Sequence, residues 1–233
     1  MHEFKLKKKV AISQSNYIPW KGYFDLINQV DLFVFYDDVK YTKNDWRNRN
    51  KIKTPNGLKW LTLPCGYDFN RLICDVKLQN QIWQQKHWEI LRQNYSNAPY
   101  FNTYQELFKN VYFEKKWTYL SELNQHLIKL ICNLLEIKTD FEDSRNYNLK
   151  GAKEDRVVDL LKKVNATEYL TGPAAKSYLS EETFLNEKIE LTWMDYSNYK
   201  KYNQLYPPFV HEVSIVDLLF NEGENAKNIL NLK

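Results

Sequence analysis

Glycine is scarce in this chain, with 6 residues among 233. No GxxxxGK[ST] run occurs, so a glycine-rich phosphate cradle with a Walker lysine is excluded. The three cysteines, Cys65, Cys74 and Cys132, have no CxxC spacing. A disulfide scaffold is therefore not expected, and reduced thiols in a cytoplasmic protein are. Histidine is rare and scattered: His2, His87, His126 and His211 form no pair at ligand spacing, which argues against a transition-metal centre. No GxSxG elbow is present. No apolar run approaches the roughly 18–20 residues that cross a bilayer, and the N-terminus lacks the apolar stretch of a signal peptide.

Aromatic residues, by contrast, are plentiful at 15%, including 7 Trp and 17 Tyr. Disordered chains are poor in such residues, so a packed fold is expected. The length suits one domain carrying an insertion. We expect an N-terminal α/β part over 1–80, a helical insertion over 81–145, and a C-terminal α/β part over 146–233 that completes the same domain.

Net charge is only +4, but it is unevenly placed. Between Lys40 and Lys59 stand Lys40, Lys43, Arg47, Arg49, Lys51, Lys53 and Lys59 against the single acid Asp45, a net +6. Arg47, Arg49, Lys51 and Lys53 alternate, so an extended backbone would turn all four to one face. Like charges on one face repel, and a bound anion such as phosphate would relieve them. The competing explanation is a solvated edge strand protected by lysines.

Val10-Ala11-Ile12 reads as a buried strand, followed by a polar and aromatic loop, Ser13–Lys21. A helix opens at Gly22, with apolar positions 23, 24, 26, 27 and 30, and Leu32–Tyr36 is a second buried strand. This compact βαβ start predicts a mostly parallel sheet in an α/β fold. Ligands in such sheets bind beyond the carboxyl ends of the strands, where the loops Ser13–Lys21 and Asp37–Asn56 would lie. Thr54-Pro55-Asn56-Gly57 is a turn signal and predicts a β-hairpin between Arg47–Lys53 and Leu58–Leu63. A further strand is expected at Leu72–Leu78, and helical pattern from Ile82 to Glu136, clearest over Trp117–Leu135. After Arg145 the alternation returns: helix Asp155–Val164, strands Glu168–Thr171 and Ile189–Met194, and final helices near Val213–Phe220 and Ala226–Leu230.

Candidate site residues follow from this layout. Arg47, Asn48, Arg49 and Lys51 are candidate phosphate binders. Gln14, Asn16, Tyr17 and Trp20 occupy the first loop, where an aromatic ring either stacks on a ligand or plugs the fold. We favour stacking for Tyr17 and the plug for Trp20. Asp37 and Asp38 end the second strand and are candidates for a general base or for holding a divalent cation beside a phosphate. Asp155 and Arg156 open a helix and would orient a polar group, or form a surface pair. His87 suits a catalytic or a structural role. Gly22 begins a helix, where free amides favour an anion. Tyr41, Trp46 and Trp60 interleave with the basic residues as nucleic-acid stacking platforms do, but no nucleic-acid fold signature accompanies them.

Several segments together resemble the WbqC-like family, associated with bacterial surface-polysaccharide (O-antigen) gene clusters. They are Gln14–Phe24, Phe33–Val39, Trp46–Gly57, Ala98–Phe101, Tyr169–Pro173 and Leu218–Gly223, in order across nearly the whole chain. Ser15 stands where the family usually has proline. The resemblance implies a role in surface-glycan assembly, and for some members a glycine (aminoacyl) transferase role. It points to an anionic partner, a nucleotide-linked or phosphorylated sugar, with an activated acyl donor as co-substrate. The rival class is a non-catalytic nucleotide-sugar-binding or scaffold protein. The first loop and crossover also resemble, at the level of fold, pantothenate-synthetase-like nucleotidylyl transferases, although the paired histidines of that motif are absent.

Overall fold

Strand β1 (Lys9–Ser13) leads through helix α1 (Lys21–Asn28) to strand β2 (Leu32–Phe35). The two strands pair in parallel from Val10–Leu32 to Ser13–Phe35, so the βαβ start is formed as expected. All four residues of β2 are buried, which explains its unbroken apolar run. The structure, a computed structural model, describes residues 7–68, 70–230 and 232. His2 lies outside the described residues.

After β2 the chain makes a hairpin, β3 (Arg49–Thr54) and β4 (Gly57–Thr62), in antiparallel register from Arg49–Thr62 to Thr54–Gly57. Gly57 takes φ +100, a conformation that side-chain-bearing residues avoid, and this is why glycine stands in the turn. Three helices follow: α2 (Ile82–Tyr95), α3 (Phe101–Phe113) and α4 (Leu120–Leu134). On α4 the stripe Leu120, Leu123, Leu127 and Ile131 is buried, while Leu130 and Leu134 cover its margin.

Strand β5 (Asp140–Asp143) then pairs with β2. The chain closes with α5 (Lys153–Lys163), β6 (Glu168–Thr171), α6 (Glu181–Asn186), β7 (Glu190–Trp193), α7 (Ile215–Glu222) and α8 (Ala226–Ile229). The sheet order is β5-β2-β1-β6-β7, and every neighbouring pair is parallel. The fold is therefore α/β with a separate antiparallel hairpin. Ring contacts link the helices: Trp88 of α2 stacks on Phe101 of α3 at 6.0 Å, and Phe101 meets Phe220 of α7 at 5.2 Å. Among the described residues no helix is long and apolar enough to cross a membrane.

Two elements differ from expectation. Leu72–Leu78 is not a strand. It holds a single 3₁₀ turn, Ile73–Asp75, because the amides of Ile73 and Cys74 bond the carbonyls of Val39 and Asp37 instead of a ladder. Strand β5 falls after the expected helical pattern, at the end of the 81–145 segment, where no strand was expected. Three of its four residues are acidic and it sits on the sheet edge, so neither alternation nor an apolar run marks it.

Candidate functional site

The order of the sheet changes direction at β1: the chain builds outward to β2 and β5, then returns to add β6 and β7 on the other side. Beyond such a reversal the loops part and leave a crevice at the carboxyl ends. Here β1 and β6 are in register only at Lys9–Glu168 and Val10–Tyr169. Past that point lies a cavity of about 860 Å³, lined by Ser13 and Gln14 at the end of β1, Tyr36 and Asp38 just after β2, and Thr171 and Gly172 at the end of β6. Gly151, Ala152, Lys153 and Arg156, at the start of α5, form another wall, and the largely exposed Tyr178 stands at the mouth.

The neighbouring acids Asp37 and Asp38 have opposite surroundings. Asp37 is fully buried and accepts the Ser15 amide at 2.8 Å and the Gln125 side-chain amide at 2.9 Å. Burial raises its pKa above the ordinary carboxylate value. Asp38 lines the cavity and pairs with Arg156, Oδ2 to Nη2 at 2.5 Å, while its Oδ1 accepts the Ser144 hydroxyl. Nη1 of Arg156 also reaches the Tyr36 hydroxyl at 3.2 Å. All four carboxylate oxygens are thus occupied by donors, and a guanidinium lies on Asp38, so the pair is not arranged to hold a divalent cation.

The first turn of α5 has an unusual entry. Gly151 (φ +78) and Lys153 (φ +50) both lie in the left-handed region, and Ala152 supplies no side-chain cap. Helix amides without an internal partner are thereby left at the cavity wall. Lys153 adds a cation on the same wall.

The expected site residues divide among three places. Gln14, Asp38 and Arg156 meet at the crevice. Arg47 does not line it but reaches Gln14, donating to its Oε1 at 2.7 Å and pairing with Asp45 at 2.5 Å. Asn16 and Trp20 line a second, smaller hollow of about 280 Å³ with Pro19, Trp46, Asn50 and Glu212. The Trp20 ring also lies on Gly22, where an added Cβ would come within 2.3 Å of it. The ring closes that helix start to an anion.

Tyr17 and His87 are buried beneath the hairpin. The Tyr17 hydroxyl meets His87 Nδ1 at 2.8 Å and the Tyr112 hydroxyl at 2.7 Å. Tyr17 is fully buried, so stacking on a ligand is overturned: this ring is the plug. Burial lowers His87 to about 4 and leaves it neutral, and it does not line the crevice. Asp155 is exposed on the outside of α5 and is not part of the crevice wall.

The basic tract does not present four charges on one face. Only Arg49–Thr54 is extended, while Arg47 lies in the preceding turn. Arg49 and Lys51 cover the Trp60 ring at 4.2 and 5.3 Å, and Lys53 is buried with its amine on the Pro208 carbonyl at 2.5 Å. Asn48 is buried and donates to the Leu63 carbonyl at 3.3 Å. The residues that sequence reasoning missed are Tyr36, Ser144, Lys153, Thr171, Gly172 and Tyr178. Their one sequence signal is Thr171-Gly172-Pro173, a strand stopped by a glycine-proline break.

A parallel α/β sheet with an open crevice at its reversal point is the architecture of proteins that bind ligands across strand ends. A sequence model of the WbqC-like protein family matches residues 14–229, from the loop after β1 through α8. The chain belongs to that family. It is 46% identical over 225 residues to the uncharacterized protein Rv1507c of Mycobacterium tuberculosis (strain ATCC 25618 / H37Rv), covering 96% of this chain and 97% of that protein.

Proposed function

We propose that this protein is an enzyme of surface-polysaccharide (O-antigen) biosynthesis that transfers an acyl or aminoacyl group, such as glycyl, to a nucleotide-linked or phosphorylated sugar bound in the crevice. One observation carries the reading: the Asp38–Arg156 pair stands inside a cavity of about 860 Å³ at the reversal point of the sheet. That volume suits a nucleotide-sized ligand. The uncapped start of α5, with Lys153, favours its phosphates. Tyr178 offers an exposed ring to a base.

In the transfer, the sugar amine or hydroxyl attacks the acyl carbonyl and its proton passes to Asp38. The bond to the leaving group breaks with its electron pair, and a proton completes that group from solvent. Asp38 is released for this role when the ligand phosphates draw Arg156 toward themselves. Asp37 serves as a buried anchor for the Ser15 loop.

The full occupation of Asp38 by Arg156 and Ser144 favours a second reading, a non-catalytic carrier of the same ligand. Incubation with a panel of nucleoside diphosphate sugars and activated acyl donors, followed by mass spectrometry, separates the two. A new acyl-sugar mass that disappears in Asp38→Asn supports the enzyme. Binding without product for every donor supports the carrier.

A further inference from the structure

The second hollow has its own chemistry. Its walls are the half-buried Trp20 and the Trp46 ring, which remains 42% exposed. Asn16 lines this hollow with its side-chain amide, whose Oδ1 is turned inward and buried. Asn50, by contrast, is spent on the loop: its Nδ2 donates to the Tyr17 and Ile18 carbonyls at 3.2 and 2.9 Å, and its Oδ1 accepts the Lys51 amide at 2.8 Å.

The loop that presents Asn16 and Trp20 is strained. Ile18, between them, is held at φ +35, a conformation that β-branched residues avoid. Asn50 and the Ser214 hydroxyl both clamp its carbonyl, the latter at 2.8 Å. Strain of this kind persists where the surrounding structure enforces it and gathers at ligand sites. Here it turns Asn16 and Trp20 into the same hollow.

Electrostatics select the occupant. Lys51 lies 5.6 Å from the Trp46 ring and 5.3 Å from Trp60, and Arg49 lies 4.2 Å from Trp60. A second cation on these rings would meet that charge. Glu212 on the lining would repel an anion. A neutral ligand with hydroxyl donors and a C–H face is the complement. A cavity near 150 Å³ takes a benzene ring, so about 280 Å³ takes one six-membered sugar ring with its hydroxyls.

We propose that this hollow is a binding site for a neutral pyranoside, with one hydroxyl oxygen accepting from the Asn16 side-chain amide, another hydroxyl donating to the Glu212 carboxylate, and the C–H face of the ring on Trp46. The electron-rich face of the indole complements the positive C–H edge. The site stands on its own residues, whatever the crevice binds.

Saturation-transfer NMR on the full chain with methyl glucoside, galactoside, mannoside and N-acetylglucosaminide tests this. At least one is expected to receive saturation at its ring protons, and uridine diphosphate should leave that signal unchanged. Trp46→Ala and Asn16→Ala should each weaken binding by about 10-fold or more, while Trp46→Phe should retain most of it. Melting temperatures accompany each variant, and the exposure of Trp46 keeps the test usable where Asn16→Ala fails to fold. The proposal is overturned by any of four results: no pyranoside signal on the wild-type protein, a signal that survives Trp46→Ala, displacement by uridine diphosphate, or binding of tetramethylammonium in place of the sugars.

Discussion

The β3–β4 hairpin takes its charge from one short run of sequence, whereas the crevice at the ends of β1, β2 and β6 gathers Asp38, Lys40, Lys153 and Arg156 from separate segments. The hairpin spends its charge internally. Lys53 serves the Pro208 carbonyl, Arg49 and Lys51 lie over Trp60, and Arg47 divides itself between Asp45 and Gln14. The crevice draws a few groups from four distant segments and leaves them facing open volume. Charge density along a chain therefore marks a cost to be offset, and a site is marked by where charged groups border open volume. The contrast predicts that changes at the hairpin alter stability and changes at the crevice alter ligand behaviour.

The largest expected effect is on the stability of the hairpin's buried support. His87 is lowered from 6.5 to about 4 by burial. The unfolded chain therefore takes up the proton first, so stability is full above about 6.5 and is lost as pH falls toward 4. That difference amounts to roughly 3 kcal/mol. Denaturant titrations between those limits should show the slope, and His87→Gln should flatten it while lowering stability throughout.

Next comes turnover at the crevice. Asp38→Asn should reduce group transfer by about 100-fold or more, with melting temperature little changed. Asp37→Asn should do the reverse, since the substituted amide sets an NH₂ group against either the Ser15 or the Gln125 donor. Loss of stability is the expected readout there, at about 1–3 kcal/mol. If the two variants exchange these behaviours, the assignment of base and anchor is inverted.

Arg156→Ala should follow, weakening a nucleoside diphosphate sugar by about 1.5–3 kcal/mol, the worth of a charged hydrogen bond. Isothermal titration calorimetry measures it directly. The smallest effect belongs to Arg49→Ala, whose guanidinium is committed to Trp60. Its influence on that affinity should stay within about 0.5 kcal/mol.

Much of the scaffold was legible because its signals are local. The apolar runs of β1 and β2, the Thr54–Gly57 turn and the stripe on α4 each depend on residues close in sequence. Strand β5 was not legible, because an acidic edge strand is defined by its partner β2 and not by its own composition. At the site, Gln14, Asp38 and Arg156 could be reached by asking which residues follow strands or open helices. Tyr17 was misread for a physical reason: a loop aromatic is available or buried according to what covers it, and its covers, His87 and Tyr112, lie 70 and 95 residues away. Lys153 and Tyr178 carry no motif, and only the sheet order brings them to the crevice.

The central claim is that the crevice, and not the basic hairpin, holds the anionic ligand. Calorimetric binding of a panel of nucleoside diphosphate sugars to the wild-type chain, to Arg156→Ala and to the double variant Arg49→Ala with Lys51→Ala tests it most directly. The account predicts that at least one sugar nucleotide binds, that Arg156→Ala loses most of the affinity, and that the hairpin variant keeps it. Intact binding in Arg156→Ala with loss in the hairpin variant would contradict it.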